Sequence, residues 1–237
     1  MHRFFSHQPL SSELKLIPGE QFHQISHVFR AKKGDSFIFF ESEWDDKVYE
    51  IIDLSKKQII LKYKDSIKKA PVWKQKRIKI LQAYPNKIQI AELIIQKIVE
   101  LGIDEIVFFP SQHSQIHDIF ESKRTRLSSI AIEALEQSWR NSPLEISYDS
   151  KGVDMLWNPD YINVVGFIGG ESSIEISAWD ETLSFWVWPE WWWSEPEKAF
   201  FLENKAKLWS FNDNVLRLET ASIVGVWILK YLSQVQK

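Results

Sequence analysis

The sequence contains no cysteine and no long apolar run. Without cysteine, the chain forms no disulfide bond, no thiolate metal site and no cysteine nucleophile. No stretch reaches 18 consecutive apolar residues, and the opening MHRFFSHQPL lacks the apolar core of a secretory signal. A lack of cysteine is also compatible with the reducing cytoplasm, where disulfide bonds are rare. We therefore predict a cytoplasmic protein with no membrane segment and no metal.

Glycine is scarce, whereas tryptophan is abundant: the 237 residues include 8 glycines and 12 tryptophans. Glycine normally makes up roughly 7% of a protein, so about half of the expected glycine is missing. Five of the tryptophans lie within eight residues of the stretch FWVWPEWWWSEPE (185–197). Turns and helix ends often need a positive φ, which bulky residues adopt poorly. Such a cluster either exposes a large apolar surface or fills a pocket.

Positive charge is concentrated in one part of the chain, although the formal net charge is −3. The segment from Lys56 to Lys79 contains ten basic residues and only one acidic residue, Asp65. Local basic density, rather than net charge, supports binding to nucleic acid. This basic run is either a solvated linker face or a phosphate-binding surface, and composition alone does not decide between them.

The first 70 residues are predicted to form a small β barrel. Short runs of β-branched and aromatic residues alternate there with polar turns such as KKGD. The predicted strands are 36–40, 47–52 and 58–63. The proline and lysines of DSIKKAPVWKQK (65–76) indicate a linker, so we place the domain boundary after residue 70.

Residues 71–237 show alternating strand and helix patterns, which predict an α/β domain with a largely parallel sheet. Gly102 is expected to end the first helix, and Ser194 with Glu197 fits a capping box at the start of another. The glycine-containing segment FIGGES (167–172) is predicted to be a turn. The predicted strands are 77–83, 105–109, 163–168 and 183–187, and the predicted helices are 88–101, 126–138 and 219–234.

Several blocks, spread over nearly the whole chain, resemble motifs of one known family. VWPEWWWSEPE (187–197) is similar to the motif IGPEGGxSxxE, and VLRLETA (215–221) is similar to ILRxETA. The family with these motifs is the RsmE family of ribosomal RNA uridine N3-methyltransferases. Further blocks that resemble the family, in the same order along the chain, are HRFF (2–5), HVFRAKKGD (27–35), IIQKIVELGIDEIVFF (94–109) and EALEQSWR (133–140).

The resemblance implies a fold, a reaction and partners. It implies an N-terminal PUA-like β barrel and a C-terminal SPOUT α/β domain whose chain forms a deep trefoil knot, a rare topology. The implied reaction transfers a methyl group from S-adenosyl-L-methionine to N3 of a uridine in small-subunit ribosomal RNA. The implied partners are that RNA, or the assembling small subunit, and a second copy of the chain in a homodimer of roughly twice 28.0 kDa.

The resemblance also implies which residues form the site. The candidate catalytic residues are Arg217, Glu190 and Arg140. A guanidinium, as on the two arginines, can neutralise a developing uracil anion or pair with phosphate. Each has a structural alternative: an ion pair with Glu219 or a neighbour for Arg217, binding of nearby backbone amides for Glu190, and a structural role for Arg140. The implied cofactor-binding residues are Trp188, Pro189, Glu190, Trp191, Trp192, Phe211, Asn212, Val215, Leu216 and Leu218. The candidate RNA-binding residues are Arg3, Arg30, Lys68, Lys69, Lys74 and Lys76.

Four tryptophans, at 139, 188, 191 and 192, stand where the family motifs have glycine. We hypothesise that they are glycine in the native cell, because some genetic codes read UGA as glycine and others read it as tryptophan. If all the tryptophans were glycines, the glycine share would approach the usual value of roughly 7%. UGG codons at 188, 191 and 192 would exclude this hypothesis. The alternative is an aromatic platform that stacks RNA bases, in a non-catalytic RNA-binding protein whose cofactor pocket is occluded.

The basic run predicts strongly salt-dependent RNA binding, because each phosphate contact releases counterions. Reversing the charge of Lys68, Lys69, Lys74 and Lys76 should weaken RNA binding further without changing cofactor affinity. Titration of RNA at several salt concentrations measures both effects. Equal RNA binding by the charge-reversed protein would remove this run from the interface.

Overall fold

Two sheets organise the chain, and each belongs to a separate unit. The computed structural model describes residues 1–6, 8–41, 45–68, 77–175 and 182–235. The first unit comprises Met1–Val72 together with Leu135–Ser142, and the second comprises Trp73–Ala134 together with Pro143–Lys237. The overall class is mixed α/β, with a five-stranded sheet in the first unit and a six-stranded sheet in the second.

The first unit is a mixed, mainly antiparallel sheet built from alternating apolar residues. Its strand order is β1-β3-β4-β5-β2, and only the β1–β3 pair is parallel. Phe4, Phe37, Phe39 and Tyr49 are buried in its core. The elements are β1 (Arg3–Phe5), β2 (Glu13–Leu16), α1 (Glu20–His23) followed by a π-helical turn (Gln24–Val28), β3 (Ser36–Phe40), β4 (Asp46–Leu54) and β5 (Ile59–Ile67).

The predicted strands of this unit are confirmed, but the predicted linker begins too early. β5 continues to Ile67, because residues 65–67 pair with residues 46–48 of β4. The first part of the proposed linker is therefore strand. The rest of it, from residue 69 to residue 76, lies outside the described residues.

Arg3 is buried, which corrects its prediction as an RNA-binding residue. Its side chain is 2% exposed and pairs with Asp46, with Nε 2.9 Å from Oδ2 and Nη2 3.1 Å from Oδ1. Nη1 donates to the backbone carbonyls of Leu135 at 3.2 Å and Arg140 at 2.9 Å, and Nη2 also donates to the side chain of Asn141. The guanidinium is therefore committed to contacts inside the unit. It is not presented to a ligand.

The other candidate RNA-binding residues differ in what the structure shows. Arg30 is exposed and its φ is 50°, in the left-handed region. Lys68 is exposed as well. Lys69, Lys74 and Lys76 lie outside the described residues.

The second unit contains the predicted parallel sheet. Its strand order is β11-β9-β10-β6-β7-β8, and every neighbouring pair is parallel. All five residues of β10 (Leu183–Val187) are buried, as expected for a strand covered on both faces. The other strands are β6 (Ile78–Ala83), β7 (Glu105–Phe109), β8 (Glu145–Tyr148), β9 (Ile162–Glu171) and β11 (Lys207–Trp209). The helices are α2 (Ile88–Glu100), α3 (Glu121–Gln137), α4 (Val153–Leu156), α5 (Glu195–Glu203) and α6 (Leu218–Val235).

Local signals placed several element ends correctly. Gly102 has φ +75° just after α2, and Ser194 with Glu197 forms the predicted capping box of α5. α3 begins five residues before the predicted start at 126. Among the described residues, no helix is long and apolar enough to cross a membrane.

The FIGGES segment is a strand, which corrects its prediction as a turn. β9 runs to Glu171, where it pairs with Trp209 of β11. A Cβ on Gly170 would lie 2.6 Å from the carbonyl oxygen of Leu208, so the lack of a side chain lets the two strands approach. Glycine here serves strand pairing and not chain reversal.

Replacing Arg3 by Met should destabilise the protein, because it breaks the buried ion pair between Arg3 and Asp46. We expect the free energy of unfolding to fall by about 3–5 kcal/mol. Lys64→Met is the matched control, because Lys64 Nζ lies 2.6 Å from Glu50 in a pair that is largely exposed. Its loss should be below about 1 kcal/mol. Urea denaturation measures both, and equal losses would contradict the structural role of Arg3.

Candidate functional site

The candidate site lies at the carboxyl edge of the parallel sheet. The loop after β10 carries residues 188–194, the loop after β11 carries residues 210–217, and the end of β9 lies beside them. Ligands of open α/β sheets bind at this edge, in crevices formed by the loops that follow the strands. Two cavities occur here.

The two cavities differ in size and in their polar groups. The smaller one has a volume of about 240 Å³, and the larger one about 370 Å³. Trp188, Trp192, Val215 and Leu216 line both. The smaller cavity is otherwise lined by Phe167, Ile168, Gly169 and 209–214, and the larger by Ile90, Glu190, Arg217, Leu218 and Glu219.

The structure brings together most residues that the resemblance implies. Of the ten implied cofactor-binding residues, all except Pro189 and Trp191 line one of these cavities. Pro189 is buried, whereas Trp191 is 64% exposed. Glu190 and Arg217 share the larger cavity. Arg140 belongs to the first unit, where its carbonyl binds Arg3, so the observed contact is a structural one.

Sequence reasoning missed part of the cavity wall. Phe167, Ile168 and Gly169 line the smaller cavity, although their segment was predicted to be a turn outside the site. Ile90, on the first turn of α2, lines the larger one. The signal for residues 167–169 was available, because they follow a buried strand at the edge where ligands bind.

A buried carboxylate anchors the loop after β10. Glu197 is 3% exposed and accepts hydrogen bonds from the backbone N of Ser194 at 2.8 Å and its Oγ at 2.9 Å. It also accepts from Ser111 Oγ at 2.7 Å and from the backbone N of Gln112 at 3.0 Å. The capping box of α5 is thereby joined to the loop that follows β7.

His113 makes a second contact with the loop after β10 (residues 188–194). Its Nδ1 lies 3.1 Å from the carbonyl oxygen of Trp191 and 3.0 Å from that of Trp192. His113 therefore contacts the backbone of the loop at residues 191 and 192. The described part of the chain contains no group of three or more potential metal ligands.

Two of the four tryptophans at family glycine positions have a backbone that favours glycine. Trp192 closes a turn by donating its N–H to the carbonyl of Pro189 at 3.0 Å, and its φ is 65°. Trp139 has φ 59° two residues after the end of α3, where helices commonly place glycine. Holding a non-glycine residue in such a region costs about 1–3 kcal/mol. The backbone at these two positions therefore supports the glycine hypothesis.

Trp188 fills space that the site would otherwise offer to a ligand. Its side chain is buried and stacks on Trp192, with ring centroids 5.0 Å apart. A Cβ on Gly166 would lie 2.2 Å from Cζ3 of Trp188, so the indole lies directly against the bare backbone of β9. The carbonyl of Gly166 accepts the indole N–H of Trp193 at 3.0 Å. Trp188 fits here because residue 166 has no side chain.

Glu190 and Arg217 supply the catalytic candidates of the larger cavity. Glu190 Oε1 accepts the backbone N–H of Asn86 at 2.7 Å, as the structural alternative for this residue predicted. Arg217 is exposed, and its carbonyl accepts a hydrogen bond from Ala221 in the first turn of α6. Among the described residues its guanidinium has no ion pair, so the alternative pairing with Glu219 is not observed. The cation is available for a ligand.

Comparison with known proteins agrees with this arrangement. Residues 73–230 match the model of the RNA methyltransferase domain family, which covers more than half of the chain. The chain belongs to this family. The match confirms the family resemblance stated above.

Two relatives of this RNA methyltransferase domain protein share the same name. The ribosomal RNA small subunit methyltransferase E of Aquifex aeolicus is 26% identical, over 97% of this chain and 99% of the relative. The Bacillus subtilis protein of the same name is 24% identical, over 92% of this chain and 90% of the relative. A solved structure of the Neisseria gonorrhoeae protein bound to S-adenosyl methionine has a TM-score of 0.80 at 20% identity, covering 98% of both chains. The structural likeness shows a shared fold.

The contact between Trp188 and Gly166 predicts coupled substitutions in the RNA methyltransferase domain. Gly166→Ala should lower the free energy of unfolding by about 1–3 kcal/mol when residue 188 is tryptophan, because the added methyl overlaps the indole. In the Trp188→Gly protein the same change should cost much less. Urea denaturation of the four proteins measures the coupling.

Gly19→Ala is the control for this cycle, because its Cβ would meet nothing closer than 3.7 Å. It should cost the same whichever residue occupies position 188. An equal cost of Gly166→Ala in both backgrounds would contradict the proposed overlap.

Proposed function

We propose that the protein is an S-adenosyl-L-methionine-dependent methyltransferase that methylates N3 of a uridine in small-subunit ribosomal RNA. The observation that carries the proposal is the meeting of two family-like loops, 188–194 and 210–217, at one edge of the parallel sheet. The family match and the shared name of the relatives support the reaction class. The cofactor in the Neisseria gonorrhoeae structure supports the methyl donor.

The tryptophan side chains do not fit this cofactor. Ligand sites typically have volumes of about 300–1,000 Å³; the smaller cavity, at about 240 Å³, falls below that range, and the larger, at about 370 Å³, lies near its lower end. The stacked indoles of Trp188 and Trp192 line both cavities and stand where a glycine loop would offer bare backbone. The competent form in this proposal has glycine at 188, 191 and 192.

The finer fold assignments belong to the same proposal. Residues 1–70 would be a PUA-like barrel that binds RNA, and residues 71–237 a SPOUT domain with a deep trefoil knot, working as a cytoplasmic homodimer. The mainly antiparallel sheet of the first unit and the parallel sheet of the second support this assignment. Arg30, Lys68, Lys69, Lys74 and Lys76 remain the proposed RNA-binding residues.

Changing Trp188, Trp191 and Trp192 together to glycine should create cofactor binding. The chain with all three tryptophans should bind little or no S-adenosyl-L-methionine in calorimetry, because side chains occupy the space. The triple-glycine protein should bind it and should transfer a labelled methyl group to small-subunit RNA. Trp191→Gly alone is the matched control, because Trp191 is exposed and lines neither cavity. That single change should restore nothing.

Two outcomes would count against these statements. Tight cofactor binding by the all-tryptophan protein would contradict the occlusion. A folded triple-glycine protein that binds RNA without binding cofactor would contradict the proposed reaction, and would favour the non-catalytic RNA-binding protein instead.

A further inference from the structure

Two backbone carbonyls of the turn at 189–192 contact a single exposed side chain. Nδ1 of His113 lies 3.1 Å from the carbonyl oxygen of Trp191 and 3.0 Å from that of Trp192. A carbonyl oxygen only accepts hydrogen bonds, so Nδ1 must carry a proton and donate it. These contacts assign to His113 either the Nδ1–H tautomer or the imidazolium.

The backbone that carries His113 is fixed by a turn of its own. The backbone N of Ser111 donates to Ser114 Oγ at 3.1 Å, and the backbone N of Ser114 donates to the carbonyl of Ser111 at 2.9 Å. Both serines are buried, and Ser111 Oγ also donates to Glu197 at 2.7 Å. His113 therefore reaches the neighbouring loop from an anchored support.

His113 holds a peptide group whose other side is also bound. The carbonyl of Trp191 and the N–H of Trp192 belong to one planar peptide group and point in opposite directions. His113 binds the carbonyl, and the carbonyl of Pro189 accepts the N–H at 3.0 Å. The next peptide group is held through the carbonyl of Trp192. Two successive peptide groups of the turn are thus fixed in direction by one imidazole.

The contact does not depend on which side chains stand at 191 and 192, because it uses only backbone atoms. Glycine at these positions would leave the two carbonyl oxygens in place for Nδ1. Glycine has more conformational freedom than any other residue, so a glycine turn needs an external contact more than a tryptophan turn does. Residue 192 lines both cavities, and the direction of this backbone therefore shapes the site.

We propose that His113 is a positioning residue for the cofactor: its Nδ1–H orients the peptide groups at 191–193 so that the loop after β10 can bind its ligand. The identity of that ligand, S-adenosyl-L-methionine, rests on the proposed function. His113 lines neither cavity and acts only through the loop.

The test exchanges a donor for an acceptor of the same shape. The side-chain nitrogen of asparagine is bonded to Cγ, as Nδ1 of histidine is, so His113→Asn can present N–H groups to both carbonyls. His113→Asp has the same shape but, when ionised, offers only acceptors, which oppose the carbonyls. A residue that served only to pack would tolerate both changes alike. The matched control is His117→Asp, because His117 is exposed farther along the same loop.

The first measurement uses the chain with all its tryptophans and no cofactor. Selective isotopic labelling of tryptophan allows hydrogen exchange of the Trp192 amide to be followed by NMR. We expect exchange to accelerate by about three- to tenfold in His113→Asp, as for the loss of one hydrogen bond, and to change little in His113→Asn. His117→Asp should leave it unchanged.

The second measurement is calorimetric titration of S-adenosyl-L-methionine into the triple-glycine protein. His113→Asp should weaken binding by about tenfold or more, whereas His113→Asn should stay within about twofold of the parent. The cofactor carries a positive sulfonium, so an added carboxylate would by itself favour binding, and His117→Asp measures that effect. Circular dichroism checks that each variant is folded.

The proposal fails if His113→Asn and His113→Asp bind the cofactor equally well in the triple-glycine protein. Different exchange rates with equal cofactor affinities would show that His113 holds the turn but does not position the ligand, and would also overturn it. If no triple-glycine protein binds cofactor, the proposed function fails, and the cofactor role of His113 fails with it. The exchange measurement then still decides whether His113 holds the turn, because it contains no ligand.

Discussion

The buried carboxylate of Glu197 is the interaction on which the site depends. Four hydrogen bonds converge on it from Ser194, Ser111 and Gln112. A carboxylate can be buried at this depth only when its oxygens are satisfied, so the capping box and the loop after β7 hold each other in place. The turn at 189–192 lies directly before this anchor. The hydrogen bonds of Glu197 therefore hold the turn in position relative to the sheet without any ligand.

Sequence patterns predicted the parts of the fold that depend on local signals. The apolar run of β10 and the helix end at Gly102 need only neighbouring residues for their explanation. The burial of Arg3 needs Asp46 and carbonyls more than 130 positions away along the chain, so periodicity could not reveal it. The extension of β9 through Gly170 likewise depends on β11, whose backbone approaches only because residue 170 has no side chain.

Within the site, the family-like motifs identified the loops better than they identified the space between them. Eight of the ten implied residues reach a cavity, because the loops after β10 and β11 lie at the same edge of the sheet, on either side of the end of β9. The packing of Trp188 against Gly166 could not be predicted, because it brings the residue that follows β10 against β9, the neighbouring strand of the sheet. The backbone at Trp139 and Trp192 is left-handed, a conformation that favours glycine. The structure therefore shows where glycine would be favoured, which composition alone could not show.

The contacts of Arg3 also bear on how modular the protein is. The first unit contains residues 135–142, which are separated from the rest of it by more than 60 residues of the second unit. A fragment that stops at residue 72 would keep Arg3 and Asp46 but would lose the carbonyls of Leu135 and Arg140. No single cut divides the chain into two self-sufficient halves. Exchange of the N-terminal unit between proteins would therefore need to carry the distant segment with it.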